Sequence, residues 1–226
     1  MKILVIDTAC NLARVALTED GVLRKEITVD DKRRHSVKLL PAIETLLEDC
    51  GVAPKELDLI GVTKGPGSFT GLRIGVVTAK TMAYALHIPL VGVNTLDAIA
   101  ASFSHADGIV CPLIDARNTR AYGAFYRGKE RIGARFVRPV RDTLEAFLSE
   151  FENETMLACG DGTLNPTIVE ILMQGLGARC RIVDAADHPG KMEDLANLAL
   201  SIYLDAPDKS VFDCNAIDID YMKDWG

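Results

Sequence analysis

Apolar and polar positions along this chain fall into two rhythms. Residues 2–7 form an unbroken apolar run closed by Asp7, the pattern of a central strand covered on both faces. Residues 13–18 and 22–29 predict two more strands, joined by the turn Glu19-Asp20-Gly21. A polar loop at 30–34 follows. Ser36 is then placed to cap a helix whose apolar positions Val37, Leu40, Ile43, Leu47 and Cys50 recur every three or four residues. Pro41 inside that helix predicts a bend or a loosely made first turn, and Gly51 and Pro54 end it. Residues 57–63 give a fourth strand, followed by a glycine-rich stretch at 65–71 and a helix near 72–86.

The second half repeats this order. Strands are predicted at 109–115, 122–126 and 132–137, a helix near 142–151, a strand at 155–159 and a helix near 164–173. Ile6-Asp7 is followed by Ala13, and Ile114-Asp115 by Ala121, at the same offset of six. The expectation is two related α/β lobes, each strand–strand–strand–helix–strand–helix, at residues 1–104 and 105–226. The final helix and tail are free to return to the first lobe. The helix near 72–86 is apolar or small on more than one face, which suits burial on two sides or cover by a partner.

Composition narrows the class. The 226 residues are 48% apolar and 25% charged, a globular balance rather than a disordered one. Twenty-five basic against 32 acidic side chains give a net charge of −7, which argues against a free-standing nucleic-acid binder. No apolar run approaches the roughly 18–20 residues of a membrane helix, and the N-terminal run meets Asp7 too early for a signal-peptide core. Cys10, Cys50, Cys111, Cys159, Cys180 and Cys214 stand singly and read as buried reduced thiols. A soluble cytoplasmic protein without a membrane partner is expected.

Candidate chemistry is sparse. Asp7 and Asp115 each close the first strand of a lobe, where a carboxylate could hold a hydrated magnesium ion beside a nucleotide. The alternative is that each caps its own turn. Thr8-Ala9-Cys10 after Asp7 contains no glycine to admit a phosphate closely. The run Gly65-Pro66-Gly67-Ser68-Phe69-Thr70-Gly71-Leu72-Arg73-Ile74-Gly75 can bend sharply, and Ser68 and Thr70 offer helix caps beside an anion-attracting helix start. It matches neither a Walker loop nor a dinucleotide fingerprint, and a tight, closely packed strand-to-helix connection explains it as well. Asp7, Thr8, Gly65, Gly67, Ser68, Thr70, Gly71 and Asp115 together form the candidate nucleotide cleft. If that cleft is vestigial, Asp7→Ala should matter little.

His35, His87, His105 and His188 include no pair three or four apart, and neither His-Glu-x-x-His nor Gly-x-Ser-x-Gly occurs, so no metal site and no catalytic residue is expected. His35 reads as a solvent-facing or capping imidazole. Arg117, Arg120, Arg127, Lys129, Arg131, Arg135, Arg138 and Arg141 are opposed by Glu130 alone. This stretch could touch RNA phosphates or simply be a solvated strand face.

The motifs Ile6-Asp7-Thr8-Ala9, His35-Ser36, Leu39-Leu40-Pro41, the glycine-rich run and Ile114-Asp115-Ala116-Arg117 occur in order, and in this the chain resembles the TsaB (YeaZ) family of bacteria. The resemblance is dense over about the first 125 residues. It implies an actin-like, sugar-kinase-like (ribonuclease H-like) fold of two lobes and a role in making threonylcarbamoyladenosine in tRNA. It further implies a non-catalytic subunit that pairs with a metal-bearing TsaD-type transferase through first-lobe helices and is joined by a TsaE-type ATPase. Carried onto this sequence, the pairing surface falls on Val37, Leu40, Ile43, Leu47, Thr78 and Met82. Alone, the same helices would pair with a second copy. Tied to the resemblance are tRNA contact only within the complex, no cofactor on its own, and ATP or ADP with magnesium in the assembly. The transferase's His-x-x-x-His motif has no match here. The family's usual Pro-x-Tyr-Leu-Arg ending is replaced by Ile219-Asp220-Tyr221-Met222-Lys223, and residues 142–207 carry no family signature. An ATP-dependent phosphotransferase working between Asp7 and Asp115 is the alternative. A peptidase finds no nucleophile–base pair in the sequence.

Overall fold

The computed structural model describes residues 1–29, 35–184, 187 and 189–222, the side chains of His35 and Ser36 excepted. The expected loop at 30–34, the Ser36 cap, His35 as a chemical group and His188 lie outside the described residues. In chain order the elements are β1 (Lys2–Asp7), β2 (Ala13–Glu19), β3 (Val22–Val29), α1 (His35–Cys50), β4 (Leu59–Thr63), α2 (Phe69–Leu86), β5 (Leu90–Val93) and α3 (Thr95–Ala101). They continue with β6 (Ile109–Asp115), β7 (Arg120–Arg127), β8 (Glu130–Pro139), α4 (Val140–Glu150), β9 (Met156–Cys159), α5 (Pro166–Leu176), β10 (Cys180–Ile182) and α6 (Met192–Asp205).

Two compact units result, one from Met1–Ala98 with Met192–Tyr221, the other chiefly from Ile99–Lys191. The division thus falls inside α3, ahead of the expected 104/105 boundary, and α6 with the segment after it belongs to the first unit. Each unit holds a five-stranded mixed sheet, in the orders β3-β2-β1-β4-β5 and β8-β7-β6-β9-β10, so the two topologies are the same. The short β5, α3 and β10 extend the predicted pattern of each half.

In the first unit strand alternation divides two cores. Leu4, Ile6, Val15, Leu17, Ile60 and Val62 face α1 and α2, while Ile3, Val5, Ala16, Leu59, Val91 and Val93 face α6. Cover on both sides explains why β1 and β4 read as continuous apolar runs. Gly61 makes the second cover possible, because a Cβ there would stand 2.9 Å from the Ala199 Cβ of α6. α1 continues through Pro41, and its buried stripe is Leu39, Ala42, Ile43, Leu46 and Leu47. In the second unit Phe147 of α4 and Phe151 at its end pack ring against ring with Phe125 of β7 at 5.3–6.0 Å.

The offset-six match is not the structural equivalence. Asp7 pairs across the ladder with Arg14, whereas Asp115 pairs with Ala121, so the first turn is one residue longer.

Candidate functional site

Asp7 ends β1 with its carboxylate buried. One oxygen accepts from the Ala9 amide at 3.1 Å and from the Thr63 hydroxyl at 2.9 Å; the other receives the Arg14 guanidinium at 2.8 Å. Arg14 also lies 3.8 Å from Glu26 on β3. Burial pushes the Glu26 carboxyl above its ordinary value, Arg14 draws it down, and Asp7 adds a further upward push.

The glycine-rich run packs onto the turn after β1. Ser68 donates its amide to the Ala9 carbonyl at 2.6 Å, and its hydroxyl caps α2 by accepting from Gly71 at 3.2 Å. Ser68 is therefore the cap, and Thr70 lies exposed in the first turn. Thr8, fully buried, donates its hydroxyl to the Gly71 carbonyl at 2.7 Å. A Cβ on Gly67 would lie 2.3 Å from the Ala9 carbonyl oxygen, on Gly71 2.1 Å from the Thr8 carbonyl oxygen, and on Gly75 2.2 Å from the Thr8 hydroxyl. Gly65, at φ +118°, would meet the Asp220 carbonyl oxygen at 2.1 Å. The space these glycines open is filled by the chain itself.

Hence Asp7, Thr8, Gly65, Gly67, Ser68, Thr70 and Gly71 are brought together, but as a packed corner. Asp115 stands in the second unit, exposed, accepting from the Arg117 amide at 2.7 Å and from the Asn165 side chain at 3.2 Å, much as a turn-capping carboxylate does. These residues do not fit a magnesium nucleotide. The Asp7 oxygens already hold an ion pair and two hydrogen bonds, and the glycine hollows hold Thr8, Ala9 and Asp220.

The other candidate surface is the outward side of α1 and α2, which lie side by side on the first sheet. Val37 (71% exposed) and Leu40 do face outward, but Ile43 (1%) and Leu47 (4%) belong to the core. Their helical spacing from Leu39 and Leu46 places them on the side of α1 that packs on β2 and β3, which corrects the expectation that they line a partner surface. Thr78 and Met82 are half-buried, Met82 packing on the same core. Sequence reasoning missed the large apolar residues that are exposed on α2, namely Phe69, Val77 and Tyr84 (69% exposed). Their spacings of eight and seven form a second apolar stripe on the helix, and that was the available signal.

Tyr221 extends this surface. Its ring lies 5.1 Å from Phe69, Arg73 is 3.8 Å over the Phe69 ring, and the Arg73 Nε donates to the Tyr221 hydroxyl at 3.0 Å. Backbone bonding of Asp220 to Lys64 at 2.8 Å ties this segment to the end of β4. The departure from the family ending therefore keeps its tyrosine in use. Beyond the C-terminus of α2 a hollow of about 510 Å³ opens between Tyr84, His87, Tyr203 and Phe212. Lys209 on its rim directs its ammonium to the Tyr203, Leu204 and Ala206 carbonyls, capping α6.

Cys111 and Cys159 are fully buried and Cys180 nearly so; burial pushes their thiols upward, that of Cys180 to about 11. Cys10, Cys50 and Cys214 are only half-buried, which corrects the expectation that all six lie buried, and no disulfide joins any of the six among the described residues. No helix among the described residues is long and apolar enough to cross a membrane.

Two sheets of identical order, each flanked by crossing helices, define the two-lobed actin-like fold shared with sugar kinases. The ROK hexokinase of Thermus thermophilus superimposes with a TM-score of 0.54 at 14% identity, covering 91% of this chain and 100% of that one, a likeness of fold alone. The family model for TsaD, tRNA N6-adenosine threonylcarbamoyltransferase, matches residues 22–203. The Bacillus subtilis tRNA threonylcarbamoyladenosine biosynthesis protein TsaB is 34% identical over 227 residues, covering 99% of this chain and 94% of its own length. A Pseudomonas aeruginosa crystal structure, described as an uncharacterized protein similar to the peptidase YEAZ, aligns with a TM-score of 0.81 at 26% identity, covering 98% and 99% of the two chains. The chain belongs to the TsaB (YeaZ) family, within the reach of the TsaD family model.

Proposed function

We propose that this chain takes part in tRNA threonylcarbamoyladenosine biosynthesis as a non-catalytic subunit that docks a TsaD-type transferase on the outward side of α1 and α2. The observation that carries this reading is the set of large apolar side chains left bare there: Val37, Leu40, Phe69, Val77 and Tyr84. The names of its relatives place them in this biosynthesis. The commitment of Asp7 to Arg14 supports a structural role for the corner where a kinase-like reaction would be sought. In this reading a TsaE-type ATPase joins the pair, a nucleotide enters through those partners, and the same surface supports a homodimer when the chain is alone.

Size exclusion of the purified chain mixed with its cognate TsaD tests the reading at micromolar concentration. Co-elution as a stable pair is expected; separate elution of both proteins removes it. Calorimetry with Mg·ATP tests the phosphotransferase alternative. Heat from the chain alone, with phosphate release, would favour that enzyme over the subunit.

A further inference from the structure

The hairpin of β7 and β8, with the turn before it and the start of α4 after it, carries eight basic side chains and one acid between residues 117 and 141, a net +7 inside a chain whose total is −7. The rest of the chain is therefore about twice as negative as the whole, and the positive charge is concentrated on one edge of the second sheet, where β8 is the outermost strand. Solubility does not call for such segregation, since interspersed charges serve it equally well.

The structure separates the basic groups that the fold uses from those it leaves over. Arg127 pairs with Glu154. Arg138 lies 4.0 Å over the Phe136 ring and reaches Thr143, and Arg120 donates to the Val137 carbonyl at 3.3 Å. Arg117, Lys129, Arg131 and Arg141 are exposed; Arg131 donates its Nε to the Gly133 carbonyl at 3.1 Å, and among the described residues none of the four has a carboxylate within ion-pair distance.

Their positions follow from the ladder. Arg117 sits in a turn whose three residues Arg117, Asn118 and Thr119 all have positive φ, and the Thr119 carbonyl accepts from the Val140 amide at 2.9 Å. That bond holds the turn beside the start of α4, so Arg117 and Arg141 share one end of the hairpin. Lys129 and Arg131 share the other, next to the Arg127↔Glu130 pair that closes it. Eight residues of β7 separate the two ends, about 25 Å at strand rise. Arg141 also stands in the first turn of α4, where the helix dipole disfavours a cation. Asp142 in the same turn already complements that dipole, so an anion bound at this end would answer the guanidinium charges of Arg117 and Arg141.

We infer that these two basic ends form a binding surface for the phosphate backbone of RNA, gripping a folded RNA at two stretches about 25 Å apart. RNA is favoured over an acidic protein because the family acts in tRNA modification. The inference to this extent rests on the function proposed above. It adds that this chain holds the substrate RNA, where that function requires only that it hold a protein. The contacts are to phosphate and carry no base specificity. The negative charge elsewhere confines the RNA to this edge.

The test is fluorescence anisotropy of a labelled tRNA transcript, titrated with the full chain together with its cognate TsaD and with the chain alone at low salt. Two variants each remove two charges, Arg117→Gln/Arg141→Gln and Lys129→Gln/Arg131→Gln; Lys25→Gln/Lys55→Gln on the first unit is the control. Each hairpin variant should weaken RNA binding on the order of tenfold and make the salt dependence shallower by about one to two units. The control should bind as the native chain does, and all three should still co-elute with TsaD. RNA binding unchanged in both hairpin variants, or weakened equally in the control, overturns the inference, as does no RNA binding by the native chain in either setting. Loss of co-elution with RNA binding kept would show that the edge serves an acidic protein surface instead. Should the native chain not pair with TsaD, the proposed function falls, and the comparison on the chain alone still decides the RNA surface.

Discussion

Asp7 and Arg14 stand opposite one another on β1 and β2, their charged groups 2.8 Å apart and each side chain only 7% exposed. Removing one partner strands a buried charge. Asp7→Ala or Arg14→Ala should cost about 3–5 kcal/mol, read from urea denaturation. Asp7→Ala/Arg14→Met, which removes both charges, should recover a large part of that loss. This replaces the expectation that Asp7→Ala matters little. Single variants as stable as the native chain would show that the pair does not hold the corner.

The Thr8–Gly75 contact gives a paired prediction. A Cβ on Gly75 meets the Thr8 side chain, whereas a Cβ on Gly71 meets the Thr8 main-chain oxygen. Gly75→Ala should be strongly destabilising alone and substantially rescued by Thr8→Ala, while Gly71→Ala should gain nothing from the same second change. Thermal melts of the four variants decide it, and equal rescue in both cases would contradict the packing.

Glu26 sets a pH dependence. Its carboxyl binds a proton more tightly in the native state than its ordinary 4.5, because burial on β3 disfavours the charge. The folded chain then holds more protons than the unfolded one, so this group's contribution falls as pH rises from that ordinary value through the raised one. Glu26→Gln should flatten the decline in stability between mildly acid and neutral pH. Parallel stability profiles for variant and native chain would rule out the assignment.

Thiol labelling separates the cysteines. Cys10, Cys50 and Cys214, half-buried, should react with an aromatic disulfide reagent under native conditions, while Cys111, Cys159 and Cys180 should wait for unfolding. Mass mapping of the labelled sites checks this, and early modification of Cys111 would mean that the second core opens readily.

The docking surface is best tested at residues already in solvent. Leu40→Glu and Val77→Glu should abolish co-elution with TsaD while leaving the melting temperature within a few degrees, because a buried carboxylate in the contact costs several kcal/mol. Met82→Glu is a poorer choice, since Met82 also packs on the core. Normal pairing by both exposed variants would move the surface elsewhere.

The long, strongly patterned elements were legible in the sequence. β1, β2, β3, α1 and α2 follow from apolar runs and helical spacing, because burial on one or two faces writes a period into the chain. β5, α3 and β10 were not, being four, seven and three residues long, too short for a period to show. The glycine-rich run was legible as a special turn; whether its hollows admit phosphate was not. That depends on Thr8, Ala9 and Asp220, distant in sequence, which only the folded chain brings there. The same holds for α1, where periodicity marks an apolar stripe but cannot say which edge of it is core. Sequence alone thus determined two like lobes and their strand–helix order, since local burial patterns are local in the chain. Tertiary structure alone decided that Asp7 is neutralised by Arg14, that Ile43 and Leu47 are core while Val77 and Tyr84 are bare, and that α6 closes the first unit, because each depends on which distant surfaces meet.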